Sequence, residues 1–125
     1  MVAINFQEKF AEKVQLGEKT QTIRRKNRFK VGDTLQLYTG QRTNQCRKLG
    51  EGIVTAVIKI SIREDDIVFF GDLEYWNDMS LDYFARMDGF KDFDEMKRWF
   101  KKVYKKLPFD GWLVQWRFLD ESTKR

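Results

Sequence analysis

The sequence contains no histidine and a single cysteine, Cys46. The absence of histidine excludes catalytic triads and dyads that use an imidazole base, and it excludes histidine-ligated zinc sites. One cysteine forms neither an internal disulfide nor a thiolate-rich metal site, as is typical of a reducing compartment. We therefore expect no metal and no other cofactor, and any catalysis must use lysine, carboxylate, hydroxyl groups or the lone thiol.

Long apolar runs are also absent. No uninterrupted apolar segment approaches the roughly 20 residues of a membrane-spanning helix, and the first residues lack the pattern of a signal peptide. We expect a cytoplasmic protein without membrane contact. With 125 residues and 42% apolar content, the chain is predicted to fold as one domain over residues 1–120, followed by a frayed tail over 121–125.

Positive charge is concentrated in one segment. From Lys19 to Lys48, nine basic residues accompany one acidic residue, Asp33, so the segment carries +8 while the whole chain carries +5. A basic surface of this density is typical of polyanion-binding proteins. Nucleic acid is the first expected partner. The alternatives are a solvated face that only adds solubility, and a surface that meets an acidic protein.

Hydrophobic periodicity predicts the α+β class. Apolar residues at helical spacing predict a helix that ends at Gly17, a short helix over 81–87, and a helix capped by Asp92 with Glu95. Connections in the middle of the chain are too short for helical crossovers, so the pairing should be mostly antiparallel. We predict a small twisted or closed barrel of five to six strands with two to three flanking helices. Alternating residues place the strands at 2–6, 19–24, 34–39, 53–62, 67–70 and 112–119.

The segment 17–25, GEKTQTIRR, is the first candidate for a site. It presents an amine, hydroxyls and guanidinium groups, which bind phosphates, carbonyl groups and base edges. Lys19 and Thr22 are three residues apart, so an ideal strand points them to opposite faces. They share a site only where a bulge or turn interrupts the strand. The alternative is an edge strand with solvated side chains.

The polar segment 40–50 is rich in hydrogen-bond donors and is long for a connection between strands. Long connections are often functional, and we predict that this basic loop holds a nucleic-acid backbone. Tyr38 or Trp76 could offer a stacking face for a base, with core packing as the alternative role. The predicted ligand-binding residues are Lys19, Thr20, Arg24, Arg25, Tyr38, Arg42, Arg47 and Lys48.

The order of these segments resembles that of a known family. A helix precedes GEKTQTIRR and then VGDTLQLYTG (31–40), while ARMDGF (85–90) precedes an amphipathic helix and an aromatic last strand. Over nearly the whole chain this order resembles the ASCH domain of the PUA-like superfamily, and the loop 42–49 resembles its phage and prophage members. The resemblance implies a β-barrel that binds RNA or related nucleotides in a cleft lined by the segment around Lys19.

One bacterial branch that this chain resembles hydrolyses the amide of N4-acetylcytidine with a lysine, a threonine and a glutamate. Lys19 and Thr22 match the first two, and Asp88, one methylene shorter, falls at the glutamate. The resemblance implies Lys19 as base, Thr22 as nucleophile and Asp88 as the acid that protonates the leaving amine. Our first prediction is binding of RNA or a modified nucleoside, and the amidohydrolase is the alternative. A ribonuclease comes third, because the sequence offers no carboxylate cluster or histidines for a metal.

Overall fold

The strands form one curled sheet flanked by three helices. The computed structural model describes residues 2–64, 68–71, 73–75 and 79–119. Trp76 and the predicted tail 121–125 lie outside the described residues. The strands are β1 (Val2–Phe6), β2 (Gln21–Arg24), β3 (Thr34–Thr39), β4 (Arg47–Ile62), β5 (Val68–Phe70), β6 (Leu73–Tyr75) and β7 (Phe109–Leu119), and the helices are α1 (Glu8–Gln15), α2 (Met79–Met87) and α3 (Phe93–Tyr104).

The long strand β4 is the centre of the sheet. It pairs with β3 at its start, with β5 at its end and with β7 over most of its length, and all three pairings are antiparallel. In the described part of the chain, β1 and β3 form the one parallel pair. The predicted α+β class with mostly antiparallel pairing is therefore confirmed.

Besides shifts in strand bounds, such as the start of β2 at Gln21 in place of Lys19 and of β7 at Phe109 in place of Trp112, two local features differ from the predicted pattern. The predicted loop 40–50 is shorter, because Arg47 already begins β4 and pairs with Thr39. Its alternating burial, with Leu49 buried between more exposed neighbours, is that of a strand. The second feature is β6, which pairs with β5 as a short hairpin and brings the strands to seven.

The curled sheet stays open between β1 and β2. Within the described residues, β1 pairs only with β3, and β2 pairs only with β7. Arg24 bridges the opening, since its Nη2 donates a hydrogen bond to the backbone oxygen of Asn5 at 3.0 Å. Helix α1 connects the two strands, so its C-terminal end lies at this opening.

The helices cover the opening with apolar side chains. Helix α1 buries Phe10 and Val14, and α3 buries Phe93 and Phe100. The predicted cap of α3 is present, because the Asp92 carboxylate accepts a hydrogen bond from the backbone NH of Glu95 at 2.9 Å. None of the helices in the described ranges has the length and apolar composition needed to cross a bilayer.

Candidate functional site

The end of α1 directs the chain into the opening of the sheet. Gly17 adopts a left-handed conformation with φ of 79°, as its predicted position at the helix end requires. The NH groups of Gly17 and Glu18 donate to the carbonyls of Val14 and Lys13, which is the Schellman pattern. The NH of Lys19 also donates to Lys13 O, at 3.0 Å, so the helix end fixes the backbone of Lys19.

Lys19 and Thr22 line one cavity of about 170 Å³, together with Arg24 and Asp88. Strand β2 begins only at Gln21, so Lys19 lies before the regular alternation that would separate it from Thr22. The irregular backbone that a shared site requires is therefore present. The structure brings together the three residues that the family resemblance implies for catalysis.

A buried ion pair forms the floor of this cavity. Lys19 Nζ lies 3.5 Å from Asp88 Oδ1 and donates to the backbone oxygen of Asp88 at 2.5 Å. The exposed fractions of Lys19, Asp88 and Thr22 are 3%, 4% and 5%. Such burial of a charged pair costs free energy, which only specific contacts offset.

Gln21 holds the carboxylate of Asp88 in place. Its Nε2 donates to Asp88 Oδ1 and to the backbone oxygen of Phe84, both at 3.3 Å, and its Oε1 accepts from Gln115 Nε2 at 3.3 Å. Gln21 was not among the residues predicted to form the site. Because Lys19 lies before β2, strand alternation gives no signal for this role of Gln21, which depends on contacts with Asp88 and Gln115 far along the sequence.

Gly89 allows the close approach of Asp88 and Lys19. Its φ of 98° is left-handed, and a Cβ atom there would lie 2.8 Å from Phe10 Cδ1 and 3.2 Å from Lys19 Cδ. Its backbone oxygen accepts a hydrogen bond from Lys13 Nζ at 2.9 Å. The glycine after Asp88 is therefore a steric requirement of the site.

Burial brings the pKa values of Lys19 and Asp88 closer together. Desolvation lowers the pKa of Lys19 to about 8, with a further lowering by the charge of Arg24 and an opposing effect of Asp88. Desolvation raises the pKa of Asp88, opposed by Lys19 and by the hydrogen bond from Gln21. Burial therefore reduces the free-energy difference between the ion pair and the form in which both side chains are neutral.

The lowered pKa predicts a pH dependence of stability. Between pH 8 and the unperturbed value of 10.5, the unfolded state binds the Lys19 proton and the folded state has lost it. The free energy of unfolding should therefore gain roughly 3 kcal/mol from this group as pH rises through that window. Urea unfolding between pH 7.5 and 10.5 measures the gain. Lys19→Met/Asp88→Asn, which carries neither titratable group, should lack it, and parallel curves for the two proteins would contradict the assignment.

Aromatic rings enclose the cation of Lys19. Its Nζ lies 4.9 Å from the ring centroid of Phe10 and 5.7 Å from that of Phe6. Trp99 and Val103 of α3 also line the cavity. Neither residue was among those predicted to form the site, and Val103 is 41% exposed.

The predicted ligand-binding residues of segment 17–25 separate in space. Arg24 faces the cavity, where its Nε donates to Thr22 Oγ1 at 3.1 Å. Thr20 lies outside the cavity lining, and its backbone NH donates to Met87 O. Arg25 lies over the ring of Tyr104, 5.5 Å from its centroid, and lines a neighbouring cavity of about 240 Å³.

The remaining predicted binding residues lie on β3, β4 and the turn between them. Tyr38 is half-buried, and its hydroxyl lies 3.4 Å from Gln36 Oε1. Arg47 and Lys48 form exposed salt bridges, Arg47 with Glu8 at 3.0 Å and Lys48 with Glu51 at 2.6 Å. Arg42 lies on an open groove, which it shares with Arg24 and Arg28. Among the described residues, no group of three histidine, cysteine or acidic side chains could hold a metal ion.

Solved structures share this fold. The crystal structure of ASCH from Zymomonas mobilis superimposes with a TM-score of 0.58 at 10% sequence identity, over 97% of this chain and 73% of that chain. Two single-substitution variants of the Zymomonas mobilis protein match with TM-scores of 0.57 and 0.54, at 11% and 10% identity. They cover 97% of this chain and 74% and 76% of theirs.

At the level of sequence, no protein-family model matches this chain, and a search of curated proteins finds no relative. The structural likeness extends over almost the whole chain and agrees with the family resemblance of the segments 17–25, 31–40 and 85–90. The chain has the fold of the ASCH domain.

Proposed function

We propose that this protein binds a modified nucleoside, free or within RNA, with the base in the cavity beside Lys19, Thr22 and Asp88. The observation that carries the proposal is the buried Lys19–Asp88 pair at the floor of a small cavity. A charged pair with shifted pKa values in a cleft is typical of functional sites. The shared ASCH-domain fold supports a nucleotide ligand through the family resemblance.

The cavity suits one flat, polar ring. Its volume of about 170 Å³ is smaller than the roughly 300–1,000 Å³ of pockets for drug-sized ligands. Lys19 and Arg24 offer donors to the ring nitrogen and carbonyl oxygen of a pyrimidine, and Asp88 offers an acceptor to an exocyclic amine. The rings of Phe10 and Trp99 supply apolar walls. These groups complement the polar edge of a cytosine-like base.

Hydrolysis of an N-acyl amide is the second candidate, and the pKa of Lys19 near 8 favours it. Transfer of one proton from Lys19 to Asp88 converts the ion pair into a neutral amine and a carboxylic acid. The neutral amine of Lys19 accepts the hydroxyl proton of Thr22 while Thr22 Oγ1 attacks the acyl carbon. The acid form of Asp88 then protonates the departing nitrogen as the C–N bond breaks. Water hydrolyses the resulting threonine ester and restores the enzyme.

The test compares wild type with Lys19→Met, using N4-acetylcytidine and cytidine as ligands. We expect Lys19→Met to weaken nucleoside binding by at least about tenfold, because it removes a charged hydrogen-bond donor. Titration calorimetry measures binding, and chromatography measures the release of cytidine and acetate. Cytidine release that depends on Lys19 supports the amidohydrolase, and binding without release supports a binding protein.

Two variants make this test specific. Lys102→Met removes an exposed lysine of α3 and should leave binding unchanged. Lys19→Met/Asp88→Asn removes the donor without leaving an unpaired buried carboxylate, so it separates loss of binding from loss of folding. Nucleoside affinity equal to wild type in this folded double variant would refute the proposed site.

A further inference from the structure

We propose that Arg24, Arg28 and Arg42 form a track for the phosphates of a single strand of RNA whose unpaired base enters the cavity. The proposal rests on the proposed function and deepens it, because it names a polynucleotide as the ligand in place of a free nucleoside. Its basis is an open groove of about 650 Å³ that is lined by all three arginines. None of the described residues that line this groove is acidic.

The groove is continuous with the cavity. Asn5 and Arg24 line both. Arg24 donates from Nε to Thr22 Oγ1 on the cavity side and from Nη2 to Asn5 O at the opening between β1 and β2. A nucleotide whose base occupies the cavity therefore has its sugar and phosphate directed toward the groove.

The turn that carries Arg42 is tied to the edge of the cavity. The NH of Gln41 donates to Asn5 Oδ1 at 2.9 Å, and Thr43 closes the turn with hydrogen bonds to Gly40 O. These contacts hold Arg42 beside β1 before any ligand arrives. Such preorganisation lowers the entropic cost of binding.

Arg28 and Arg42 of the groove differ from Arg47 and Lys48 of the same basic segment. Across the described ranges, neither Arg28 nor Arg42 forms a salt bridge. The guanidinium of Arg28 donates a long hydrogen bond, 3.5 Å, to Ala3 O and lies 5.4 Å from the ring centroid of Phe29. Arg47 and Lys48, in contrast, are already paired with carboxylates. Arg28 and Arg42 therefore need not give up a salt bridge to bind phosphates.

The chemistry of the groove favours a nucleic-acid strand over an acidic protein. Apart from its arginines, the groove is lined by small or polar side chains, namely Ala3, Asn5, Gln41 and Cys46. It offers no apolar pocket for the side chains of a peptide, while guanidinium groups suit a regular series of phosphates. A duplex would keep its bases stacked, whereas the recessed cavity admits a base only when it is unpaired.

The test measures binding of a fluorescent ten-residue oligoribonucleotide with one N4-acetylcytidine, together with binding of the free nucleoside. Arg28→Ala/Arg42→Ala should weaken oligonucleotide binding by at least about tenfold and leave nucleoside binding unchanged. The slope of log affinity against log salt should decrease in magnitude by about 1.4, at roughly 0.7 for each lost phosphate contact. Arg98→Ala/Arg117→Ala, the same charge change at exposed positions on α3 and β7, should change neither affinity by more than about twofold.

Each outcome decides the proposal. Equal losses of oligonucleotide affinity in Arg28→Ala/Arg42→Ala and in Arg98→Ala/Arg117→Ala would overturn the proposed track, since net charge alone would then explain the binding. Competition by polyglutamate as strong as that by RNA of equal charge would overturn it in favour of an acidic protein partner. If the proposed function itself is wrong, Lys19→Met/Asp88→Asn should leave nucleoside binding unchanged. That result does not depend on the outcome for the arginine variants.

Discussion

Replacing Asp88 by alanine is expected to lower the free energy of unfolding by about 3–5 kcal/mol at pH 7, because it leaves a buried charge without its partner. The Lys19 ammonium would lose its carboxylate partner at a position that is only 3% exposed in the native protein and lies near the rings of Phe6 and Phe10. The Nε2 donor of Gln21 would also lose one of its two acceptors. Urea unfolding monitored by tryptophan fluorescence measures the loss.

The same variant should shift the titration of Lys19. The charge and hydrogen bond of Asp88 raise the pKa of Lys19, so their removal should bring that pKa below 8. Part of the lost stability should then return as pH rises above neutrality, since the neutral amine is cheaper to bury. A loss that stays constant from pH 6 to 9 would contradict this explanation.

Two control variants separate the effect of an unpaired buried charge from the effect of removing a carboxylate as such. Lys19→Met/Asp88→Leu replaces both charges with apolar groups and should cost far less than Asp88→Ala, because no unpaired charge remains. Asp110→Ala removes an exposed carboxylate and should change stability by no more than about 0.5 kcal/mol. An effect of Asp88→Ala as small as that of Asp110→Ala would refute the buried ion pair.

The parts of the fold that depend on local signals were predictable. The end of α1 at Gly17 follows from glycine's access to left-handed backbone angles, and the start of α3 follows from the side-chain acceptor of Asp92. The bounds of β3 agree with its alternation of apolar and polar residues. The early start of β4 was not predictable in this way, because pairing with β3 makes Arg47 and Lys48 part of a strand despite their polarity.

The site depends on contacts between distant parts of the chain. Lys19 and Asp88 are 69 residues apart, so periodicity carries no information about their pairing, and only the family resemblance joined them. The pairing of Arg47 with Glu8 was hidden for the same reason. Counting charge along a segment therefore showed that the region is basic, but it could not show which cations are free to bind a ligand.

Replacing Thr22 by valine is expected to abolish amide hydrolysis, with a loss of at least about 1,000-fold in cytidine release, because it removes the attacking oxygen. Valine has nearly the same shape as threonine, so the cavity should keep its form. The lost hydrogen bond from Arg24 Nε should cost about 1 kcal/mol of stability. Chromatography of the reaction products, together with nucleoside titration by calorimetry, measures both consequences.

Thr22→Val separates the two candidate functions. In amide hydrolysis the Thr22 hydroxyl is the nucleophile, whereas for a bound base it is only one of several polar groups in the cavity. Nucleoside affinity within about fivefold of wild type, together with loss of cytidine release, would assign Thr22 to the chemical step. Thr34→Val, the same substitution on β3 outside the cavity, should preserve both properties. Cytidine release that persists in Thr22→Val and still requires Lys19 would exclude the threonine ester, and would leave a water molecule activated by Lys19 as the nucleophile in the same cavity.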